Sequence, residues 1–252
     1  MEACVLEEGI SRADRTVLDN RYFCTKAGLG QCESGLARRA ITAFLRKHAG
    51  GDLFVSQKWY NMLEYVGSNA SVLGFFVEQV LLSTIQKEGM YLDGKKHQFK
   101  VVATFDGIPK MPGDDPVLYI PKAWNNSSID AIIFSIPEGE RKILTVRPVQ
   151  ITINQRHQNS EVTFFADWKR FSVKSIGSTA YDEIRVVFLW IVEQPATFPY
   201  KEGPVSESRR YTRGQTYQAP AYERHVRSIA SVSEKVGTKL IQARTNWEAG
   251  AR

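Results

Sequence analysis

The sequence predicts an α/β protein with a mixed central sheet flanked by helices, and three observations support this prediction. Apolar residues recur at helical spacing over residues 71–87. Five segments rich in β-branched and aromatic residues follow, with turn residues between them. A second helical pattern, at residues 160–171, stands between the fourth and fifth of these segments. Helix, several strands, helix and strand is the order typical of an α/β fold with a mixed sheet.

Residues 1–67 are predicted to form a small, mainly helical N-terminal region. The clearest pattern covers residues 34–48, where apolar residues recur at helical spacing before a glycine pair that starts at Gly50. In the helix that follows, Ser71 is the predicted N-cap and Gly89 the residue at which the helix stops.

The predicted strands alternate with turn signals rich in proline, glycine and aspartate. They cover residues 99–104, 117–120, 129–135, 143–154 and 184–192. The helix before the last strand has Val162, Phe165 and Trp168 among its apolar positions. These elements together predict an α/β domain at residues 68–198.

Residues 199–252 are predicted to be a basic, loosely ordered tail, because apolar density falls after Pro195 and Pro199. The net charge of the chain is +6, and residues 204–252 carry nine basic and four acidic residues. The first 203 residues are nearly neutral, with 24 basic and 23 acidic residues. A basic tail indicates phosphate or acidic partners, although solvated termini are often basic without a specific partner.

Composition narrows the functional classes. The longest apolar run, residues 186–192, is far shorter than the roughly 20 residues needed to span a bilayer. The first nine residues lack the positive segment of a secretory signal, so neither a membrane nor export is expected. The three cysteines, Cys4, Cys24 and Cys32, contain no C-x-x-C pair, which argues against a disulfide framework or zinc ribbon and favours a reducing compartment.

Two carboxylates stand in segments whose other residues predict burial. Glu78 has glycine or apolar residues at the helical positions i−4, i−3, i+3 and i+4, and Asp130 lies inside the apolar segment 129–134. A buried carboxylate is costly unless it is paired or binds a metal ion. The alternatives are an exposed or arginine-paired glutamate and a solvent-facing strand aspartate.

Gln150 and Thr152 are predicted to share one face of a strand, because side chains alternate between the two faces. Val149, Ile151 and Ile153 would then point into a core on the other face. A polar pair on this strand can meet Asp130 from a hairpin partner, although a single Q-x-T pattern is common and indicates little alone.

Three segments carry a resemblance to a known family. Residues 72–78 (VLGFFVE), residues 128–134 (SIDAIIF), and residues 149–152 (VQIT) followed by His157 resemble the nuclease module of Crinkler effectors and retrotransposon hot spot proteins. That group belongs to the restriction-endonuclease-like PD-(D/E)xK superfamily. The resemblance covers about residues 59–192. It extends weakly upstream into what resembles the end of an NTPase module, although the chain contains no G-x-x-x-x-G-K-[ST] motif.

The resemblance implies a restriction-endonuclease-like fold and a metal-dependent endonuclease that hydrolyses phosphodiester bonds. It implies Mg²⁺ or Mn²⁺ as cofactor, nucleic acid as partner with DNA favoured over RNA, and the nucleus as location. In this fold a helix supplies a glutamate, and a hairpin supplies an aspartate and an (E/Q)-x-K pair. Carried over here, Glu78, Asp130 and Gln150 are the expected metal ligands, and Thr152 completes the expected catalytic set.

The sequence departs from the restriction-enzyme pattern at two positions. Gln150 stands where a carboxylate is usual, and Thr152 stands where a lysine would stabilise negative charge. Mg²⁺ prefers carboxylates, so it would be bound more weakly here. Two interpretations remain: an active nuclease, or a catalytically inactive nuclease-fold module that binds DNA or a protein partner. A purely structural protein would leave both carboxylates without a reason.

Further residues are candidates for contact with nucleic acid. His157 lies just past the strand of Gln150, and Lys169 and Arg170 lie on the following helix. In the tail, arginines alternate with tyrosines, a mixture that suits phosphate contact and base stacking. These arginines are Arg209, Arg210 and Arg213. The alternatives are a solvated loop, a solvated helix face and a disordered linker.

Overall fold

A computed structural model of the chain describes most of the residues after position 69 and a few before it. The described residues are 23–26, 29–32, 56–57, 59–60, 70–99, 101–105, 108–109, 115–121, 128–136, 142–154, 159–177, 181–212 and 215–250. Among them, no helix is long and apolar enough to cross a membrane.

The first helix, α1, covers Ala70–Glu88. It begins one residue before Ser71, so Ser71 lies inside the helix and is not its N-cap. The predicted stop is confirmed. Gly89 has a φ of 76°, its N–H donates to Ile85 O at 3.0 Å, and a Cβ there would collide with the carbonyl oxygen of His97. Only glycine fits this position without strain.

Seven strands form the central sheet. They are β5 (Val101–Phe105), β6 (Val117–Pro121), β7 (Ala131–Ser135), β8 (Ile143–Thr152), β9 (Glu183–Val192), β10 (Gly203–Val205) and β13 (Tyr222–Ser228). Their spatial order is β10-β13-β9-β8-β7-β6-β5. The pairs β5–β6, β8–β9 and β9–β13 are parallel, whereas β6–β7, β7–β8 and β10–β13 are antiparallel. The sheet is therefore mixed, as the sequence predicts.

In the described parts of the chain, three hairpins lie outside the central sheet. They pair β1 (Phe23–Lys26) with β2 (Leu29–Cys32), β3 (Met90–Leu92) with β4 (Lys95–His97), and β11 (Ser208–Thr212) with β12 (Gln215–Ala219). The first hairpin lies in the N-terminal region that is predicted to be mainly helical, and it adds two short strands to that region. The helix predicted at residues 34–48 lies outside the described residues.

Each face of the sheet packs against helices. On one face, Leu73, Val77 and Leu81 of α1 share a core with Val149 and Ile151 of β8. On the other face, the helices α2 (Ser160–Ala166) and α3 (Trp168–Ser175) pack against aromatic strand residues. Burying each such large apolar side chain contributes roughly 1.5–3 kcal/mol, so both layers stabilise the sheet.

The helix predicted at residues 160–171 is in fact two short helices that break at Asp167. The N–H of Asp167 donates to Phe164 O at 3.3 Å, a bond that tightens the last turn of α2. The break lets the ring of Phe164 contact the rings of Trp168 and Phe171, with centroid distances of 6.0 and 5.2 Å. Aromatic packing, which helical periodicity does not report, decides this boundary.

The predicted loose tail is wrong. Residues 203–228 contain strands β10 to β13, and β13 extends the central sheet in parallel with β9. Two helices follow, α4 (Ile229–Val232) and α5 (Glu234–Gly250), and they pack on the same face as α1. The low apolar density has a physical reason. In β13 only Tyr222 and Val226 are buried, and the other side chains of this strand are half-buried or exposed to solvent. The strand therefore needs few apolar residues.

Candidate functional site

The candidate site lies at one edge of the central sheet, where the parallel strands β8, β9 and β13 end. Thr152 is paired with Val192, and Val192 is paired with Ser228, so the carboxyl ends of these strands meet at this edge. Strand β7 runs in the opposite direction and therefore begins here. In open α/β sheets, ligands bind at the carboxyl ends of parallel strands.

Asp130 immediately precedes β7 and is 7% exposed. Its N–H donates to Val149 O at 2.8 Å. Its Oδ2 atom accepts two hydrogen bonds of 2.6 Å, from the Ile151 N–H and from Gln150 Nε2. The carboxylate thus accepts a hydrogen bond from the Ile151 N–H of β8, which lies beyond Ala131–Val149, the last residue pair of the two strands at this end. Asp130 consequently ties the start of β7 to the end of β8.

Burial raises the pKa of Asp130 to about 7, while the hydrogen bonds from the Ile151 N–H and Gln150 act in the opposite direction. Desolvation disfavours the charged form of a buried carboxylate, and a nearby cation would favour it again. Binding of a divalent ion at this carboxylate would therefore release a proton near neutral pH.

Gln150 is 7% exposed and lies next to Asp130, as the pairing of Ala131 with Val149 requires. Besides its bond to Asp130, its Nε2 atom lies 3.4 Å from Ile151 O. The amide thus presents its nitrogen to the carboxylate. As a ligand it would present Oε1, which a half-turn of the amide group achieves.

Thr152 is buried but its hydroxyl bonds locally. Oγ1 donates to Asn154 O at 3.1 Å and accepts from Asn154 N at 3.0 Å. This pattern closes the turn that ends β8. The sequence predicts the position of Thr152 on the strand, but the turn occupies the hydroxyl that would orient a water molecule.

Glu78 is half-buried on α1. One helical turn before it, a Cβ on Gly74 would lie 3.6 Å from Cγ1 of Ile153, so α1 passes close to the end of β8. Gln79, which is fully buried, donates from Nε2 to Glu78 Oε1 at 3.0 Å. The structure thus joins Asp130 directly to Gln150. Glu78 belongs to α1, which packs on the face of the sheet where Val149 and Ile151 lie. Gln150 is paired with Trp190 of the other core, so its side chain lies on the opposite face.

Four of the six predicted nucleic-acid contacts fall within the described residues. Lys169 and Arg170 are exposed on α3, where Arg170 pairs with Asp167 at 3.6 Å. Arg209 and Arg210 belong to β11 and so to a hairpin beside α2, instead of a linker. The remaining two, His157 and Arg213, lie outside the described residues.

Sequence reasoning missed a buried cation in β8. Arg147 is 2% exposed, donates to Ser135 Oγ at 2.6 Å and forms an ion pair with Asp93 in the turn between β3 and β4. Burial lowers the pKa of Arg147, and the Asp93 carboxylate partly restores it. The sequence contained a signal for this residue, because Arg147 is a charged residue in an apolar strand segment, as Asp130 is.

A second missed group surrounds Glu161 of α2, which is 1% exposed. Its carboxylate accepts hydrogen bonds of 2.6–2.7 Å from Trp190 Nε1, from the Tyr222 hydroxyl and from Nε and Nη2 of Arg224. All of these partners are donors, so the buried charge is compensated. Glu161 thereby fastens α2 to β9 and β13.

The donor set at the strand edge is small. In the described parts of the chain, no three histidine, cysteine, aspartate or glutamate side chains lie together as a metal-binding group. The expected metal ligands are two carboxylates, Glu78 and Asp130, together with the Gln150 amide and the backbone carbonyl of Ile151. Such oxygen donors suit a hard cation such as Mg²⁺.

Comparison with protein-family models, characterised proteins and solved structures finds no match for this chain.

Proposed function

We propose that the chain is a metal-dependent nuclease that hydrolyses phosphodiester bonds in nucleic acid, with DNA favoured as substrate. The observation that carries this proposal is the buried pair of Asp130 and Gln150 at the carboxyl ends of the parallel strands. Buried carboxylates with a raised pKa are characteristic of functional sites. Asp130 combines this property with a position at the edge where ligands bind.

The order of elements supports a restriction-endonuclease-like fold. Helix α1 carries Glu78, the antiparallel pair β7–β8 carries Asp130 and the Q-x-T pair, and a helical segment then leads to the parallel strand β9. This order of elements is the one that the sequence resemblance implies, and it supports the proposal. We include the nucleus as the proposed location, since the same resemblance implies it.

The residues at the edge fit a divalent cation through their oxygen atoms. Mg²⁺ or Mn²⁺, when bound, would supply an activated water and neutralise charge on the phosphate. Asp130 would ligate after losing its proton, Gln150 after turning its amide, and Ile151 through its carbonyl. Glu78 would approach from α1, where Gln79 holds one of its oxygens.

Plasmid nicking tests this function. With Mg²⁺ or Mn²⁺ the wild type is expected to convert supercoiled DNA to the nicked form, and EDTA is expected to stop it. Asp130→Ala is expected to reduce nicking at least 100-fold, because it removes the ligand at the centre of the site. Asp182→Asn is the control. Asp182 accepts a backbone hydrogen bond from Lys142 at the far end of β9, and its loss is expected to leave nicking unchanged.

One observation favours the second candidate function, an inactive nuclease-fold module that binds DNA or a protein partner. The carboxylate of Asp130 already accepts two short hydrogen bonds, and the Thr152 hydroxyl is occupied by its turn. Both residues therefore have structural roles that need no metal. Binding of duplex DNA without any nicking in Mn²⁺ would establish this second function and exclude the first.

A further inference from the structure

A buried row of side chains crosses the sheet at the candidate site, on the face that α2 and α3 cover. Gln150 of β8 lies between Asp130, to which its Nε2 atom donates at 2.6 Å, and Trp190 of β9, its register partner. Neighbouring strands lie about 4.8 Å apart, and Gln150 and Trp190 are only 7% and 0% exposed. The indole of Trp190 therefore borders the Gln150 side chain on the side away from Asp130.

The indole is held in place by Glu161 of α2. The Nε1 atom of Trp190 donates to Glu161 Oε1 at 2.6 Å, and hydrogen bonds to a charged group are the strong ones. Three aromatic rings pack on the indole with centroid distances of 5.0–5.6 Å, and they belong to Phe188, Phe198 and Tyr200. Trp190 is thus fixed both at its polar atom and around its ring.

The carboxylate of Glu161 is itself fixed at both oxygens. It accepts four hydrogen bonds, from the indole, from the Tyr222 hydroxyl and from Nε and Nη2 of Arg224. These donors come from β9 and β13, so the carboxylate cannot turn without breaking bonds to two strands. A continuous series of buried contacts therefore runs from β13 through Glu161 and Trp190 to Gln150.

Gln150 has few bonds of its own to hold it. Its Nε2 atom donates to Asp130 and lies 3.4 Å from Ile151 O. A glutamine side chain has several rotatable bonds, and fixing it in one conformation costs rotamer entropy. A rigid neighbour that excludes the other conformations removes this cost before a ligand binds.

We propose that Trp190 and Glu161 are positioning residues of the candidate site. Glu161 fixes the indole, and the indole keeps the Gln150 side chain against Asp130. The inference deepens the proposed function and rests on it for its consequence, because an ordered Gln150 matters there as an oxygen ligand for a divalent cation. It gives α2 a role in the site beyond fastening the strands.

The side-chain amide of Gln150 reports on this positioning without metal or substrate. In protein whose glutamines carry the heavy nitrogen isotope, the NMR signal of this amide is assigned by its loss in Gln150→Glu. Exchange of its protons with water is then measured in EDTA. Trp190→Phe is expected to speed this exchange about 10-fold, because the smaller ring lacks the N–H that Glu161 holds and leaves room for other conformations of Gln150.

Glu161→Gln is expected to speed the exchange less than Trp190→Phe does, because an amide oxygen can still accept from the indole. Melting temperatures of all variants are measured alongside, so that a loss of folding is recognised. Should either variant not fold, Tyr222→Phe carries the test, since it removes only one of the four hydrogen bonds to Glu161 and keeps the ring. It is expected to change the exchange in the same direction.

Trp168→Phe is the matched control. Trp168 is half-buried on the same face of the sheet, on α3, where its ring contacts those of Phe164 and Phe171 at 6.0 and 5.6 Å. The substitution makes the same chemical change in the same aromatic layer but away from β8 and β9. It is expected to leave the exchange of the Gln150 amide unchanged.

Binding of Mn²⁺, followed by electron paramagnetic resonance, measures the consequence for the site. Residues that orient a metal ligand commonly change metal affinity by about 10-fold or more when they are substituted. Trp190→Phe is therefore expected to bind Mn²⁺ about 10-fold more weakly than Trp168→Phe does.

The outcomes separate this inference from the proposed function. If the Gln150 amide exchanges equally in Trp190→Phe, Trp168→Phe and wild type, the positioning role is overturned, whether or not the wild type nicks DNA. Faster exchange in both tryptophan variants also overturns it, because the aromatic layer as a whole has then loosened. If only Trp190→Phe exchanges faster, the positioning role stands, and a wild type that neither binds Mn²⁺ nor nicks DNA then overturns the nuclease proposal alone.

Discussion

The carboxylate of Asp130 has two notable properties at the start of β7. Its hydrogen bonds with the Ile151 N–H and with Gln150 connect β7 to β8, and its burial raises its pKa to about 7. The pKa lies far above the unfolded value of 3.8, so the folded protein binds this proton more tightly than the unfolded chain. Folding stability therefore depends on the charge of this residue.

The direction of that dependence gives a prediction at the residue scale. Below about pH 4 Asp130 is protonated in both states, and its contribution to stability is fully present. Between about pH 4 and 7 the unfolded chain ionises first, so stability falls by an amount on the order of 4 kcal/mol and is constant above that range. Asp130→Asn is expected to remove this loss, since the amide oxygen can accept the same hydrogen bonds without a charge.

Urea denaturation in EDTA at pH 4, 5, 6, 7 and 8 measures the effect. The difference in unfolding free energy between Asp130→Asn and wild type is expected to grow up to about pH 7 in favour of the variant. A constant difference across this range would contradict the raised pKa. A variant that is less stable at every pH would show that the carboxylate is required as a structural hydrogen-bonding group.

At the scale of elements, one buried ion pair joins segments that are distant in sequence. Glu161 of α2 accepts from Trp190 of β9 and from Tyr222 and Arg224 of β13. Arg224 also stacks over the ring of Tyr200, with its guanidinium carbon 4.6 Å from the centroid. Helix α2 is short, with seven residues, so this contact contributes much of what holds it in place.

Glu161→Gln is expected to lower the unfolding free energy by about 3 kcal/mol, because it leaves the Arg224 guanidinium in a mostly buried place without its counter-charge. Urea denaturation with both variants measures this. The control is Glu202→Gln. Glu202 pairs with Arg227 in the exposed part of the same region, and its loss is expected to cost less than about 1 kcal/mol. Equal costs for the two variants would show that burial does not strengthen the Glu161 contact.

At the scale of the whole molecule, the C-terminal fifth of the chain belongs to the fold. Strand β13 fills the position beside β9, and α5 buries Val236 and Leu240 against the core of α1. Without these residues β9 would become an edge strand, and the Glu161 carboxylate would lose its charged partner. Exposed edges and unpaired buried charges are both destabilising.

Deleting residues 204–252 is therefore expected to prevent cooperative folding, instead of trimming a linker. Far-UV circular dichroism and a thermal melt compare the truncated chain with the full chain. The contribution of the β11–β12 hairpin to nucleic-acid binding is better measured with the double substitution Arg209→Gln and Arg210→Gln, which leaves β13 intact. A truncated chain that melts cooperatively near the wild-type temperature would show that the tail is dispensable.

Much of the candidate site could be predicted from local patterns. Alternation along β8 predicts that Gln150 and Thr152 differ in face from Val149 and Ile151, and the structure confirms that Val149 and Ile151 pack with α1. The anomaly of Asp130 in an apolar segment is visible in the sequence, but its two hydrogen bonds depend on the register of β7 with β8. Register is a non-local property, because it joins residues 20 positions apart.

The sequence by itself determined the α/β class, the extent of α1 to within a residue or two, the central strands and the glycine that ends α1. These features follow from periodicity and backbone sterics, which act within a few residues. Only the tertiary structure decided that α2 and α3 are separate, that Arg147 and Glu161 are buried ion pairs, and that β13 and α5 complete the molecule. Each depends on contacts between distant segments, and a polar strand or a charged side chain becomes part of a core only when its partners are folded around it.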